Sequence, residues 1–181
     1  KHSDKTARRF ALYHFLARNG IQTNLLYRLS ENPRMTKREV VDFLGYDPGN
    51  LRLKVLRVPN GRGLETEGKF DNFNEFLAWL RKPETHRKYG TRKHSQQVIN
   101  PSRPSPTVMT IPDDLVHPTE NRTLTVREMA KLQGFMSSFV FRGPVTTGGE
   151  RRKFEVPQYS QVGNAVPPPL AKAIGSHFIE L

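Results

Sequence analysis

Apolar residues recur at three- and four-residue intervals in the first thirty residues, a spacing that places them on one face of a helix. The first predicted helix covers residues 5–19 and ends at Gly20; its apolar face consists of Ala7, Phe10, Ala11, His14 and Phe15. No second histidine stands at metal-ligand spacing from His14, so we expect this side chain to be packed rather than to bind a metal. A short helix is predicted over residues 24–29, before Pro33 breaks the chain.

A third helix is predicted to begin at Thr36, because Thr-x-x-Glu is the pattern of a capping box, and to end at Gly45. A helix-turn-helix would need a second helix next. Instead, residues 51–55 alternate between apolar and basic side chains, which predicts a strand with one basic face. A turn is predicted at residues 59–63, where proline, asparagine and two glycines cluster.

The remaining pattern predicts two further apolar helices separated by irregular chain. Residues 71–82 form one helix, stopped by Pro83, with an apolar stripe of Phe73, Phe76, Leu77 and Leu80. Residues 107–111 are predicted to form a short strand between prolines, and residues 137–160 a long loop. The last helix follows the prolines at 167–169, and its apolar side holds Leu170, Ala173, Ile174, His177 and Phe178.

The amino-acid composition of the chain limits which classes of binding partner are expected. A formal net charge of +12 over 181 residues indicates an acidic partner, with nucleic acid the leading one, since Lys and Arg bind backbone phosphates. The sequence has no cysteine, which excludes disulfides and thiolate metal sites, and no metal is expected. It also lacks a signal-peptide pattern and an apolar run near the ~18 residues of a membrane span, so a cytoplasmic protein is expected.

A basic stretch between Arg81 and Arg103 contains one acid, Glu84, and is the best match to a phosphate-binding surface. The residues predicted to contact the DNA backbone are Arg81, Lys82, Arg87, Lys88, Arg92 and Lys93. Asn60 and Arg62, together with Arg87 and Arg92, have the chemistry to form paired hydrogen bonds with base edges.

Two signatures lie in the last third of the chain. The first, Arg122 to Phe135, contains a second capping box in which Thr125 is the N-cap and Glu128 reaches back to it. Gly134 is placed to end the helix. The second runs from Gln161 to Val166 and reads Gln-Val-Gly-Asn-Ala-Val.

Together with His117-Pro118, these signatures resemble the closing part of the DNA cytosine-5 methyltransferases, over about residues 100 to 180. One position departs from the family: Met136-Ser137 follow Gly-Phe where Pro-Asp is usual. The resemblance implies that Gly163, Asn164, Ala165 and Val166 form a turn lining the S-adenosylmethionine pocket. It implies an architectural role for Arg122, Thr125, Arg127 and Glu128, which would hold the recognition region against the catalytic part.

In that family a cysteine attacks a flipped-out cytosine and S-adenosylmethionine donates the methyl group. The cysteine of a Pro-Cys pair, the glycine-rich cofactor loop and a Glu-Asn pair are missing from this sequence. The chain is therefore expected not to methylate DNA alone. It corresponds to the region after the catalytic core, as a subunit or a fragment; a start at Lys1 rather than Met agrees with that.

The predicted fold is α+β. Residues 1–100 would form a small, irregular, basic target-recognition domain. Residues 101–181 would complete a Rossmann-like α/β methyltransferase domain that binds S-adenosylmethionine. The predicted partners are double-stranded DNA and the catalytic half, fused or separate, with no membrane. A prokaryotic restriction-modification or phage setting is expected.

Two other functions remain open at this point. Residues 5–63 would suit a self-sufficient, winged-helix-like DNA-binding module without catalytic duties. An assembly protein that binds only its protein partner would show no salt-dependent DNA binding.

Overall fold

The computed structural model describes residues 3–53, 55–60, 63–147 and 149–180. They form a mixed α+β structure of two compact units, each with its own apolar core. Unit 1 holds the described residues up to Val98 and also Val116–Arg122; unit 2 holds Ile99–Leu115 and the described residues from Thr123 onward. None of the helices in the described ranges has both the length and the apolar character of a membrane span.

Unit 1 is mainly helical. Its elements, in chain order, are α1 (Asp4–Arg18), α2 (Leu25–Glu31), α3 (Lys37–Leu44), a 3-10 turn (Pro48–Asn50), β1 (Leu56–Pro59), β2 (Leu64–Gly68), α4 (Phe73–Leu80), α5 (Pro83–Tyr89) and β3 (Gln97–Val98).

The ends of these helices follow local side-chain chemistry. Thr36 and Glu39 form the predicted capping box of α3, in which each side chain accepts from the other residue's backbone N–H. The helix ends at Gly45, whose φ of 77° is the left-handed conformation that glycine adopts without strain. Asn72 caps α4 through the Glu75 N–H. The predicted ends of α3 at Thr36 and Gly45 are therefore confirmed.

The core of unit 1 is rich in aromatic rings. The Phe70 ring lies 5.2 Å from Phe76 and 5.3 Å from Trp79 between centroids, and Phe15 of α1 contacts the same cluster. Phe76 is fully buried. Burying rings of this size gives the largest apolar contribution per residue, so the cluster fixes α4 against α1.

β1 and β2 form an antiparallel hairpin that pairs Val58 with Glu65 and Pro59 with Leu64. The turn predicted at residues 59–63 is confirmed at its ends, where the Asn60 N–H donates to the Gly63 carbonyl; residues 61 and 62 lie outside the described residues. The predicted strand at residues 51–55 is wrong for every described residue of that stretch, because the strand begins only at Leu56. The pairing partner of Leu56 is Gly68, the last residue of β2, so earlier residues have no strand opposite them.

The helix α5 was not predicted, since Pro83 signalled only the end of α4. Pro83 instead occupies the first position of α5, where the missing N–H costs nothing. Thr85 and Tyr89, one turn apart, are its buried residues. Arg87 and Lys88 of the basic stretch therefore lie on a helix, whereas Arg81 and Lys82 lie in the short connection between α4 and α5.

Unit 2 has fewer regular elements and longer connections. It contains a 3-10 turn (Pro112–Asp114), α6 (Val126–Leu132), a 3-10 segment (Gly149–Lys153), α7 (Gln158–Asn164) and α8 (Pro168–Ile179). The short strand β4 (Leu115–Val116) stands where the chain leaves unit 2 for unit 1. The core of unit 2 consists of Val108, Leu115, Leu124, Met129, Ala130, Phe141, Tyr159 and Val162.

Two predictions for unit 2 need correction. Residues 107–111 form no strand, although Val108 is buried. Four prolines flank this stretch, at positions 101, 104, 106 and 112, and each removes a backbone donor from the chain around it. The second signature is not a turn, because Gln161, Gly163 and Asn164 lie in the helix α7. The described residues of the predicted loop at 137–160 are irregular, apart from the 3-10 segment and the start of α7.

Candidate functional site

The first signature forms the capped helix that its sequence predicts. The Thr125 N–H donates to Glu128 Oε2 over 2.7 Å, and the Glu128 N–H donates to Thr125 Oγ1 over 3.2 Å. Gly134 follows α6 with φ of 79°. Arg127 donates from its guanidinium to the Phe139 carbonyl at 2.8 Å. The capping box thus sets where α6 begins, and Arg127 ties the loop after α6 back onto the helix.

Arg122, the first residue of this signature, belongs to unit 1. Its guanidinium Nε donates to Glu120 Oε2 at 2.9 Å, in a largely exposed ion pair that spans one intervening residue. An exposed pair of this kind contributes little to stability; it restricts the side chains of residues 120 and 122.

The structure brings the two signatures together inside unit 2. The Gln133 amide nitrogen donates to the Val162 carbonyl over 3.1 Å, joining the end of α6 to α7. A Cβ placed on Gly134 would lie 2.6 Å from Pro169 Cγ at the start of α8. Only a glycine allows this approach, so the first signature positions both helices that come after it.

Tyr159 and Gln161 fasten α7 to its surroundings. The buried Tyr159 hydroxyl donates to the Leu124 carbonyl at 2.7 Å. The Gln161 amide donates to the Arg142 and Val156 carbonyls, at 2.8 and 2.9 Å. These hydrogen bonds connect α7 to the chain on both sides of the 3-10 segment. The sequence had not predicted this structural role for either side chain.

The four residues predicted to bind the cofactor lie at the end of α7 and just beyond it. Gly163 faces the backbone of Met109 and Thr110 rather than open space. Asn164 is exposed and lines a cavity of about 480 Å³, together with Asp113 and Ser160. Ala165 is half-buried, and Val166 is exposed ahead of α8. The requirement for glycine at position 163 therefore comes from packing against backbone.

The last helix, α8, has no buried residue, and every side chain from Pro169 to Glu180 is exposed. Its large apolar side chains are all exposed: Leu170 is 51 %, Ile174 48 %, Phe178 70 % and Ile179 87 % exposed. A helix that turns this much apolar surface to water is typical of one that is covered by another protein surface.

The predicted phosphate-binding residues of unit 1 divide into two groups. Arg81 donates to the Met35 carbonyl, and Lys88 contacts both carboxylate oxygens of Glu67, at 2.7 and 2.8 Å. These two cations have structural partners. Lys82, Arg87, Arg92 and Lys93 are exposed.

The predicted base-reading residues are less well placed. Asn60 lies in the hairpin turn, where its amide donates to Glu65 Oε2 at 3.3 Å. Arg62 lies outside the described residues. Glu65 also accepts from Arg8 at 2.6 Å, and this hydrogen bond lowers the pKa of the Glu65 carboxylate. Asn60 is thus already engaged by a carboxylate of its own hairpin.

Glu67 is the acid that sequence reasoning missed. It sits on β2, pairs with Lys88 of α5, and accepts from Arg8 of α1 at 3.4 Å. Beneath it, burial raises the pKa of the Tyr89 hydroxyl, and the Glu67 carboxylate adds to this. The only signal was the alternation of Glu65 and Glu67 along a strand, which places both carboxylates on one face.

His14 is buried, as predicted for a packed histidine, and its Nε2 lies 3.1 Å from the Glu120 carbonyl. Burial lowers the pKa of His14, and the nearby Arg18 cation lowers it further. The ring is therefore neutral near pH 7. In the described part of the chain, no group of three or more His, Asp or Glu side chains has the arrangement of a metal site.

Comparison with known proteins identifies the family. A profile described as C-5 cytosine-specific DNA methylase matches residues 8–180, and the chain belongs to this family. Curated relatives include the type II methyltransferase M.AquIB of Picosynechococcus sp. (strain ATCC 27264 / PCC 7002 / PR-6). It is 46 % identical over 78 residues, which cover 42 % of this chain and 56 % of the relative.

Two further relatives match over shorter fractions of their own length. The type II methyltransferase M.DdeI of Desulfomicrobium norvegicum is 41 % identical over 75 residues, which are 41 % of this chain and 18 % of that protein. The DNA (cytosine-5)-methyltransferase 1 of Mus musculus is 46 % identical over 61 residues, 34 % of this chain and 3 % of the mouse protein. The matched region thus spans at most about half of these relatives. No solved structure matches the chain.

Proposed function

We propose that this chain is the DNA-recognition and cofactor-pocket-completing part of a DNA cytosine-5 methyltransferase. The reaction of the whole enzyme would be methyl transfer to C5 of cytosine in duplex DNA. The partner that supplies the catalytic cysteine would be another part of the enzyme, on the same polypeptide or on a separate one.

The observation that carries this proposal is the exposed apolar side of α8. Leu170, Ile174 and Phe178 recur at four-residue intervals, so they share one face of the helix. An apolar stripe of this kind is stable in water only when it is covered. We propose that its cover is the α/β methyltransferase domain, which α8 and the preceding signature would complete.

The sequence also supports a site in which the catalytic nucleophile comes from another part of the enzyme. The family's covalent step needs a thiolate, and the sequence contains no cysteine. This chain would instead position structural elements of the site, since Gln133 and Gly134 hold α7 and α8 in fixed places. The catalytic part would provide the nucleophile and the glycine-rich loop.

S-adenosylmethionine, which supplies the methyl group, would be bound jointly with the catalytic part. Asn164 is exposed, so its amide is available as donor and acceptor to a polar ligand group. Val166 is 61 % exposed and offers an apolar surface two residues on. Gly163 keeps the end of α7 seated on the Met109 backbone. These residues fit one wall of a cofactor site and need a second wall from elsewhere.

Unit 1 would be the target-recognition domain, within the proposed 1–100 region. Its exposed cations Lys82, Arg87, Arg92 and Lys93 would contact phosphates and set the register on duplex DNA. The pairing of Lys88 with Glu67 would hold α5 in place, so that Arg87 on the same helix keeps its orientation. The base-reading residues would lie on neighbouring loops.

The proposal is tested by mixing this chain with a catalytic part and measuring methyl transfer. The full chain is combined with a polypeptide that carries the family's cysteine and glycine-rich loop but lacks the region equivalent to this chain. Transfer of a radiolabelled methyl group to duplex DNA is then measured. Activity is expected only when both are present, and a Cys→Ser variant of the catalytic part serves as the negative control. A correctly folded catalytic part that gains no activity from this chain would contradict the proposal.

A further inference from the structure

Unit 1 contains a cleft that the sequence signatures do not account for. Its volume is about 300 Å³, and its walls come from α1, the β1–β2 hairpin and the segment after β4. This size is at the low end of the range for ligand sites, enough for one phosphate with part of its sugar.

Two arginines line this cleft, Arg18 at the end of α1 and Arg57 on β1. Both are exposed, and neither guanidinium has an acidic partner among the residues that the structure describes. The two acids on β2 are already paired with other cations: Glu65 with Arg8, and Glu67 with Lys88. Two unpaired guanidiniums on one cleft repel each other, and an anion between them removes that repulsion.

The remaining lining matches a nucleotide better than a bare ion. Val55 and Leu64 are exposed and contribute apolar surface, and Asn121 contributes an amide that can donate or accept. His14 forms part of the wall, with its ring held by the Glu120 carbonyl. Guanidinium pairs bind phosphate oxygens through parallel N–H donors, and the apolar surface suits a deoxyribose.

We propose that this cleft binds a backbone phosphodiester of DNA, held jointly by Arg18 and Arg57. The inference rests on the proposed function, since it names the residues by which unit 1 would grip its substrate. It adds a contact on α1 and β1, away in sequence from the basic stretch at 81–103. The formal charge of +12 favours a nucleic acid over an acidic protein segment as the occupant.

The test measures binding of the full chain to a fluorescent duplex by anisotropy over a range of salt concentrations. Arg18→Gln/Arg57→Gln is compared with Arg34→Gln/Arg38→Gln, which removes the same charge from exposed unit 1 residues outside the cleft. One lost phosphate contact lowers the salt slope by about 0.9, or roughly eightfold in affinity at 0.1 M salt. We expect that loss for the cleft variant and a smaller one for the control.

Further measurements separate a lost phosphodiester contact from a folding defect and from a site for free anions. Thermal unfolding should be the same for both double variants, and Arg18→Lys/Arg57→Lys should retain most of the salt slope. Inorganic phosphate at matched ionic strength should displace no more DNA than chloride does. Selective displacement would assign the cleft to a free anion and overturn the proposal.

Equal losses of DNA affinity in the cleft and control variants would also overturn the proposal. So would a cleft variant that binds DNA like the wild type but binds the catalytic part more weakly. Neither outcome would decide the proposed function, which the methyl-transfer assay of the mixed parts tests independently. If the wild-type chain bound no duplex at all, both this inference and the recognition role would fail.

Discussion

Gly163 lies against the backbone of Met109 so closely that a methyl group in its place would stand 2.6 Å from the Met109 carbonyl oxygen. Real Cβ atoms do not approach backbone this closely, and a peptide unit cannot move aside as a flexible side chain can. The glycine of the second signature is thus a packing requirement inside unit 2.

We therefore predict that Gly163→Ala loosens α7. Overpacking of this kind costs about 1–3 kcal/mol, which would raise hydrogen exchange of α7 amides roughly 5- to 150-fold. Exchange is measured by mass spectrometry on peptides covering 158–164. The matched control is Gly175→Ala in α8, where a Cβ meets nothing within 4 Å and alanine favours the helix. Equal exchange in the two variants would show that the close approach is not maintained in solution.

A second prediction separates two neighbouring cations of α5. Lys88→Gln removes the partner of Glu67, while Arg87→Gln removes an exposed charge on the same helix. We expect Arg87→Gln to lower the salt slope of DNA binding by about 0.9 and Lys88→Gln to leave it unchanged. Lys88→Gln should instead lower the free energy of unfolding by about 0.5–1 kcal/mol.

The chain offers a convenient probe for that loss of stability. It contains one tryptophan, Trp79, whose ring packs on Phe70 and Phe76 in the core of unit 1. Its fluorescence during urea unfolding reports on unit 1. A larger effect of Lys88→Gln on DNA binding than of Arg87→Gln would mean that the Glu67 pair opens to release Lys88 for the phosphate.

A third prediction concerns pH. Because burial lowers the pKa of His14, the unfolded chain takes up a proton at a higher pH than the folded chain. The contribution of His14 to stability is therefore complete above the unfolded pKa of about 6.5 and decreases as the pH falls below it. Trp79 fluorescence should show a lower urea midpoint at pH 5.5 than at pH 7.5.

The His14→Gln variant should lose part of this pH dependence, since the buried group no longer titrates. The exposed His94→Gln variant is the control and should keep it, because His14 is intact. If both variants retained the wild-type difference between the two pH values, other groups would be responsible.

Local chemistry explains which predictions succeeded. The capping boxes at Thr36 and Thr125 and the left-handed glycines at 45 and 134 depend on residues within one turn, so the sequence carries them directly. The register of β1 depends on where β2 ends, at Gly68, and nothing within residues 51–55 records that limit. Pairing between distant residues is the information that a short sequence window lacks.

The candidate site shows the same limit. The signatures predicted the family, but their contact through Gln133 and Val162 joins residues 29 positions apart. The family resemblance implied a turn from Gly163 to Val166, and glycine and asparagine also favour turns. Tertiary packing on Met109 holds them in a helix instead. The pairing of Lys88 with Glu67, 21 residues earlier, was equally invisible to a count of charges within the basic stretch.

The central claim is that α8 and the two signatures finish an active site whose nucleophile lies in another part of the enzyme. The most direct test is radiolabelled methyl incorporation into duplex DNA by three reactions. They contain this chain alone, this chain with the catalytic part, and the same mixture with Ile174→Asp on the exposed face of α8. We expect no methyl transfer by this chain alone and clear transfer by the mixture with the catalytic part. With Ile174→Asp, transfer should fall at least about tenfold, because burying an unpaired carboxylate is costly. Transfer by the chain alone, or undiminished transfer with Ile174→Asp, would contradict the account.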